Sequence, residues 1–292
     1  MKKILLLFLL PLLFVGGAFG KLPTTFTVGT YNLRNANGED SVNGDGWGQR
    51  VPYLAKLVLF HGFDIFGTQE GLFHQLQDMK ILLPGYDYIG IGRDDGKQKG
   101  EYSAIFYRKD KFKLLDQGNF WLSDDQTKPN LGWDAVCIRI CTWGKFQEIS
   151  TGKVFVMFNL HMDHRGTVAR EESSKLILKK IQEMPPATPV ILTGDFNVSQ
   201  FSPSYHLLNT SGVLRDSYDK SPLTYDPAGT FNGFHPEKSA SSERIDHIFL
   251  TKQFAVLKYG ILTDTYRIYD GKSGVAHCPS DHFPVMAIVN LQ

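Results

Sequence analysis

Cysteine, net charge and long apolar runs are all scarce in this chain of 292 residues, and each shortage removes a class of protein. Cys137, Cys141 and Cys278 are odd in number and define no disulfide framework. The first two lie four apart in a strand-like run, about 13 Å at ~3.3 Å per residue, too far to bridge each other. They read as small buried hydrophobes, while Cys278 could bridge either. The 31 basic residues face 30 acidic ones, for a net charge of +1. Strong electrostatic capture of nucleic acid is therefore not written into the composition, although a local basic patch is left open. No repeat, low-complexity tract or linker marks a domain boundary.

The one long apolar run, Ile4 to Val15, follows Lys2 and Lys3 and leads to the small residues of Ala18-Phe19-Gly20. Residues 1–20 thus have the charged, apolar and small-residue zones of a secretory signal peptide, and the protein is expected to be secreted or periplasmic. The run falls short of the ~20 residues that span a bilayer, and Pro11 interrupts it, so no stable membrane span is expected after cleavage. Removing Lys2 and Lys3 takes the net charge to about −1. Residues 21–292 are long enough for a single domain with a full core, expected to act as a monomer.

Phe26 to Leu33 alternates and is rich in β-branched residues, as in a strand ending at Asn32 and Arg34. Arg50 to Phe60 has helical spacing, Asp64 to Thr68 reads as a short strand, and a second helix runs from about Leu72 to Leu83. This alternation is that of an α/β layer fold. From Tyr86 to Lys153 the pattern changes to four alternating runs, at Tyr86 to Ile91, Ser103 to Arg108, Phe112 to Trp121 and Ala135 to Phe146, which predict antiparallel strands. A buried strand from Val154 to Leu160, a helix from Val168 to Met184 and a strand from Val190 to Asn197 follow. Arg244 to Leu250, Phe254 to Thr263 and Pro284 to Leu291 complete the series as three more strands.

Polar residues collect at the ends of these separate strands: Asn32, Glu70, Glu101, His161, Asp163, Asp195, Asn197, Asp246, Asp281 and His282. Ligands of α/β sheets bind beyond strand ends, so the convergence points to a site. Asp195 and Asn197, two apart in an extended segment, would present a carboxylate and an amide side by side with Phe196 turned into the core. His161-Met162-Asp163-His164-Arg165 crowds four polar groups at one strand end. Bland readings stand beside these: Gly194-Asp195-Phe196-Asn197 and Ser280-Asp281-His282 also suit turns, Glu70 could cap a helix, and Arg244 with Asp246 could form a salt bridge. Oxygen donors without a Cys/His cluster at zinc spacing favour a hard cation, Mg²⁺ with Mn²⁺ or Ca²⁺ as alternatives, and hence phosphate chemistry.

Taken together, Tyr31-Asn32, Gly194-Asp195-Phe196-Asn197 and Ser280-Asp281-His282-Phe283-Pro284 resemble the endonuclease/exonuclease/phosphatase superfamily over nearly all of residues 21–292. That group includes pancreatic-type deoxyribonuclease, neutral sphingomyelinases, inositol polyphosphate 5-phosphatases and poly(A) deadenylases. Gly-Trp-Asp-Ala at 132 to 135, Leu-His-Met-Asp-His-Arg-Gly at 160 to 166 and Gly-Thr-Phe-Asn-Gly-Phe at 229 to 234 look like a secreted bacterial branch. The resemblance implies an α/β (α+β) four-layer sandwich, two mostly antiparallel sheets face to face with helices outside. It also implies Glu70 as main metal ligand with Asn32 and Asp281 nearby, and Asp195 and Asn197 orienting water and phosphate. His282 would be held by Asp246, and His161 would be a second phosphate-contacting histidine paired with Glu101. Asp163, His164, Arg165, Asn232 and Arg244 are taken as substrate contacts.

The function so implied is a secreted, divalent-metal-dependent phosphoesterase that cleaves a phosphodiester, in nucleic acid or a phospholipid headgroup, by in-line attack of water. The alternatives are a phosphatase of a phosphorylated small molecule or sugar and, in another class, a noncatalytic phosphate- or sugar-binding protein on the same scaffold.

Overall fold

The computed structural model describes residues 24–238, 241–268 and 275–292, so the leader expected over residues 1–20 lies outside them. Its elements run β1 (Thr24–Asn32), α1 (Gly38–Val42), α2 (Trp47–Phe60), β2 (Ile65–Gln69), α3 (Phe73–Leu82), β3 (Tyr86–Ile89), β4 (Ile105–Arg108) and β5 (Phe112–Trp121). Next come β6 (Ile140–Glu148), β7 (Val154–His161), α4 (Thr167–Gln182), β8 (Val190–Asp195), α5 (Pro203–Asn209), β9 (Arg215–Asp216), α6 (Ser217–Lys220) and β10 (Thr224–Tyr225). A short 3₁₀ turn, Pro236–Lys238, precedes β11 (Asp246–Leu250), β12 (Phe254–Ile261), β13 (Tyr266–Arg267), β14 (Ala276–His277) and β15 (Val285–Leu291). None of the described helices is long and apolar enough to cross a membrane.

The strands form a seven-stranded sheet, β10-β12-β15-β1-β2-β4-β3, and a six-stranded sheet, β5-β6-β7-β8-β11-β9, with β13 and β14 as a separate pair. Most neighbours are antiparallel; β1/β2, β7/β8 and β10/β12 are parallel. Three apolar layers glue four structural layers together. Phe26, Val28, Ile65, Phe155, Met157, Ile191, Ile248 and Val285 fill the space between the sheets. Leu54, Val58, Phe66, Leu76 and Met79 seat α2 and α3 on the outer face of the larger sheet, and Phe158, Leu160, Ile177, Leu192 and Leu208 seat α4 and α5 on the smaller. The expected four-layer sandwich is the observed fold.

Period-two alternation explains what lies at the open end of the sandwich. Along β7 the inward face reads Phe155, Met157, Asn159, His161; along β8 it reads Ile191, Thr193, Asp195; along β1 it reads Phe26, Val28, Thr30, Asn32. Each face passes from apolar core through one polar rung to a candidate site residue. The polar rung is a hydrogen-bonded knot in which Gln69 Oε1 alone among the amide atoms has no partner. Gln69 Nε2 donates to Thr30 Oγ1 (3.0 Å) and Asn159 Oδ1 (2.8 Å), Thr193 Oγ1 donates to Asn159 Oδ1 (3.0 Å), and Asn159 Nδ2 reaches the Thr68 and Ala104 carbonyls (2.8 and 3.0 Å). Gly67 makes the room: a Cβ there would fall 2.1 Å from Asn159 Oδ1.

Several strands are a residue or more shorter than expected, and at two of them the cause is visible. The run from Ala135 becomes a strand only at Ile140, because the Val136 and Cys137 amides donate to the Asp163 carboxylate instead of a ladder. The strand before Asn197 stops at Asp195, since Asn197 is left-handed with φ 50°. The short elements α1, α5, α6, β9, β10, β13 and β14 carry too little periodicity to be expected, although Pro203 at the start of α5 is a helix signal.

Replacing Asn159 with alanine strands four buried partners on two sheets. Denaturant unfolding of Asn159→Ala is expected to show a loss of about 3 kcal/mol or more.

Candidate active site

A cleft of 510 Å³ opens at the strand ends, lined by Glu70, His161, Asp195, Asn197, Asp281 and His282, and also by Arg34, Arg93, Arg139, His164 and Phe231. Backbone conformation aims several of these groups. Arg34, Glu70 and Asn197 have φ of 54°, 63° and 50°. Non-glycine residues rarely adopt that region, and its cost of roughly 1–3 kcal/mol each is borne by the surrounding structure. At Glu70 the consequence is specific: Gln69 points between the sheets, and the left-handed turn brings the next side chain to the cleft rather than to the outer face.

Asp246 accepts a 2.8 Å hydrogen bond from His282 Nδ1, and His282 Nε2 stands 3.7 Å from Asp195 Oδ2. Burial works against a charge on His282, but the Asp246 and Asp195 carboxylates outweigh it and hold the imidazole well above its ordinary value. His282 is therefore a resident cation at neutral pH. Burial and the Asp246 carboxylate push Asp195 upward, making it a stronger base than an ordinary carboxylate. His161 behaves oppositely. Burial, with Arg139 and Arg93 nearby, depresses it well below its ordinary value, so it is neutral. Asn197 Nδ2 donates to its Nε2 (3.0 Å), which assigns the proton to Nδ1, a buried donor without a protein partner.

The oxygen donors fit a hard divalent cation. Glu70, His161 and Asp195 each offer a ligand atom, all within 4.8 Å of one another. Asn32 has a different part from the ligand role expected. Its Nδ2 clips Glu70 Oε1 and Asp195 Oδ2 (3.0 Å each) while its Oδ1 accepts from the Arg34 amide, so in this orientation it sets two acidic groups rather than offering an oxygen. Asp281 stands apart from that group, with its carboxylate 3.6 Å from Arg34.

Several expected contacts are corrected by the geometry. Glu101 does not pair with His161; it bonds Arg93 (2.5 Å) and Asn35 (3.0 Å). Asp163 is buried and wholly engaged: its oxygens accept from the amides of Val136, Cys137, Arg165 and Gly166, and from Arg139 Nε. Asp134 reciprocates by accepting from the Val168 and Ala169 amides that start α4. The two motifs at 132–135 and 160–166 are thus one loop clasp, which leaves Arg139 and His164 in the cleft and Arg165 exposed outside its lining. Asn232 likewise bonds the Ser280 carbonyl and the Phe234 amide, bracing the loop that carries Asp281 and His282. Arg244 lies outside the cleft, 3.6 Å above the Tyr218 ring and 3.3 Å from Asp216.

The sequence reading missed Arg34, Arg93, Arg139 and Phe231 as cleft residues. Arg139 had a signal, a charge inside the apolar run Cys-Ile-Arg-Ile-Cys. Arg93 sits in a loop with none, while Phe231 belongs to the Gly-Thr-Phe-Asn-Gly-Phe stretch, which reads as a branch motif and not as a cleft wall.

The endonuclease/exonuclease/phosphatase family profile matches residues 29–282, which takes in every strand end of the cleft. The chain belongs to this family. Its members are metal-dependent phosphoesterases, and the chain is accordingly a phosphoester hydrolase. A solved family protein from Bacteroides thetaiotaomicron is 56% identical, with a TM-score of 0.90 over 92% of this chain and 99% of that one. The mannosyl-6-phosphatase of the same species is also 56% identical, with a TM-score of 0.88 over 90% of this chain and 99% of its own. The CCR4-Not 3′-5′-exoribonuclease subunit Ccr4 of Debaryomyces hansenii is 26% identical over 296 residues, 82% of this chain. The chain spans less than half the length of such curated relatives, 35% in that case.

Two outcomes follow. His282→Ala should lower kcat by about a hundredfold or more in a phosphoester assay. Arg244→Ala should leave the cleft working but cost about 3 kcal/mol of unfolding free energy, because it abandons a buried carboxylate. Although burial pushes Asp216 upward, His247 and Arg244 hold it below its ordinary value. The stability it contributes is therefore present above the ordinary carboxylate range and drains as pH falls through the depressed value, which acid denaturation of the two proteins would record.

Proposed function

We propose that this family member is a phosphomonoesterase that removes phosphate from a phosphorylated sugar of the mannose 6-phosphate type. The carrying observation is the cationic complement of the cleft: Arg34, Arg93 and Arg139 line it beside the charged His282. Glu70, Glu101, Asp195 and Asp281 balance those charges, and a divalent ion held among them would tip the cleft toward a monoester dianion, which brings one more negative charge than a diester. The likeness to a mannosyl-6-phosphatase over nearly all of both chains supports the same class, which favours the sugar phosphatase alternative over the diesterase first expected from sequence.

The chemistry divides among the chain's own residues. Asp195 takes a proton from the attacking water, aided by its raised basicity. The neutral His161 turns Nε2 to the cleft, 3.4 Å from Asp195 and bonded to Asn197, so it adds no positive charge of its own there. His282 places a positive charge, steadied by Asp246, where negative charge grows. Glu70, with His161 and Asp195, would hold a divalent ion, in our reading Mg²⁺, which supplies further charge neutralisation at the phosphoryl group. The water oxygen bonds to phosphorus as the phosphorus–oxygen bond to the sugar breaks; the leaving sugar oxygen takes a proton from solvent, and Asp195 returns to solvent the proton it took from water. We read the enzyme as a monomer, and the leader-like residues 1–20 support export to a secreted or periplasmic location.

Phosphate release from mannose 6-phosphate should require Mg²⁺, stop with EDTA and exceed cleavage of bis(4-nitrophenyl) phosphate in kcat/KM. Arg139→Ala should cut the monoester kcat/KM by about tenfold to a hundredfold, and the diester value by less. Faster turnover of the diester by the unmodified enzyme would refute the monoester assignment.

A further inference from the structure

The phosphate cleft continues sideways into a groove of 570 Å³, and the two share Arg34, Phe231 and Asp281 as a common wall. Nothing in the chemistry above uses the rest of this groove. A larger cavity, 770 Å³ around Tyr218 and Arg244, shares no lining residue with the cleft and could not hold part of a substrate reacting there.

The groove offers a particular mixture of surfaces. Phe231, 50% exposed, stands with its ring edge-to-face against His282 at 5.1 Å, at the junction of the two spaces. Beyond it lie Asn43, which is exposed, and Asp45, whose carboxylate makes one long contact of 3.4 Å with His277. Asp40 is in the same wall, but Arg34 (2.8 and 3.1 Å) and Asn37 (2.7 Å) occupy its oxygens. A carboxylate and an amide can each accept or bridge hydroxyl groups, and an aromatic ring takes the apolar face of a pyranose. Acidic groups in this position oppose a second phosphate, so the chain of a polynucleotide running through the groove would meet repulsion where nucleic-acid binders place lysine or arginine.

We infer that this groove is the sugar subsite: it receives the neutral, hydroxyl-bearing ring whose phosphate occupies the cleft, with Asp45 and Asn43 on its hydroxyls and Phe231 against its face. The inference rests on the phosphosugar reading and deepens it. Arg34, shared by both spaces, then stands at the point where phosphate joins sugar, held there by its bidentate bond to Asp40.

The test compares kcat/KM for mannose 6-phosphate with kcat/KM for 4-nitrophenyl phosphate, which has the same phosphate and no hydroxyl groups, in the unmodified enzyme, Asp45→Ala and Asn43→Ala. Asp45→Ala should lower the sugar-to-aryl ratio by about tenfold or more, chiefly through KM. Asn43→Ala, at an exposed position that tolerates substitution, should lower it in the same direction by a smaller factor. An unmodified enzyme that hydrolyses mannose 6-phosphate, with both variants keeping its ratio, would overturn the groove and leave the phosphatase reading standing. An unmodified enzyme that hydrolyses the aryl ester but not the sugar phosphate would overturn that reading, and the subsite with it.

Discussion

The bond set around Asn159 is the constraint on which the rest of this structure hangs. One amide reaches two carbonyls of the larger sheet and accepts from Gln69 of that sheet and Thr193 of its own. A sandwich held only by apolar side chains could slide by a rung at little cost, because greasy contacts are nondirectional. A buried polar knot is directional, and a slip would leave several more groups unpaired. Two residues along from the knot on β1, β7 and β8 stand Asn32, His161 and Asp195, so the fixed register becomes a fixed active-site geometry.

That geometry brings unlike charges together without letting them cancel. The larger sheet contributes Glu70, clipped by Asn32. The smaller one contributes Asp195, Asp246 and His161, and the last loop adds His282. One histidine is kept charged by two carboxylates, and the other is kept neutral by burial and arginines. Two histidines flanking Asp195 can therefore do different jobs, one as a fixed cation and one as a neutral imidazole. The arginines that depress His161 also line the space a phosphate would enter, so the same charges tune a residue and attract a substrate.

Much of this was legible in the sequence, for reasons that are physical. Strand endings with polar residues at alternate positions located Asn32, His161, Asp195 and Asp246, because period two carries the inward face straight from core to cleft. The pairing of Asp246 with His282 followed from family resemblance, and the 2.8 Å contact is what that resemblance implied. Asp163 and Arg244 misled because a buried carboxylate or guanidinium looks the same in one dimension whether it meets substrate or backbone. Asp163 is consumed by four amides and Arg139, and only the folded loop clasp reveals it. The left-handed turn at Glu70 left no trace, since it is not glycine, whereas Asn197 closes a stretch that also suits a turn; both help aim the side chains that matter. The grooves that select a substrate arise from loops distant in sequence, such as those of Asp45 and Phe231, and no local pattern announces their meeting.

The account's central claim is that this cleft directs water at the phosphorus of a sugar monoester. The most direct measurement is hydrolysis of mannose 6-phosphate in ¹⁸O-water with Mg²⁺, with the label located by mass spectrometry. The account predicts one ¹⁸O atom in the released phosphate, none at O6 of the mannose, whose anomeric oxygen exchanges with water by itself, and no release in EDTA. Label at O6 of the sugar, or release that persists without divalent metal, would contradict it.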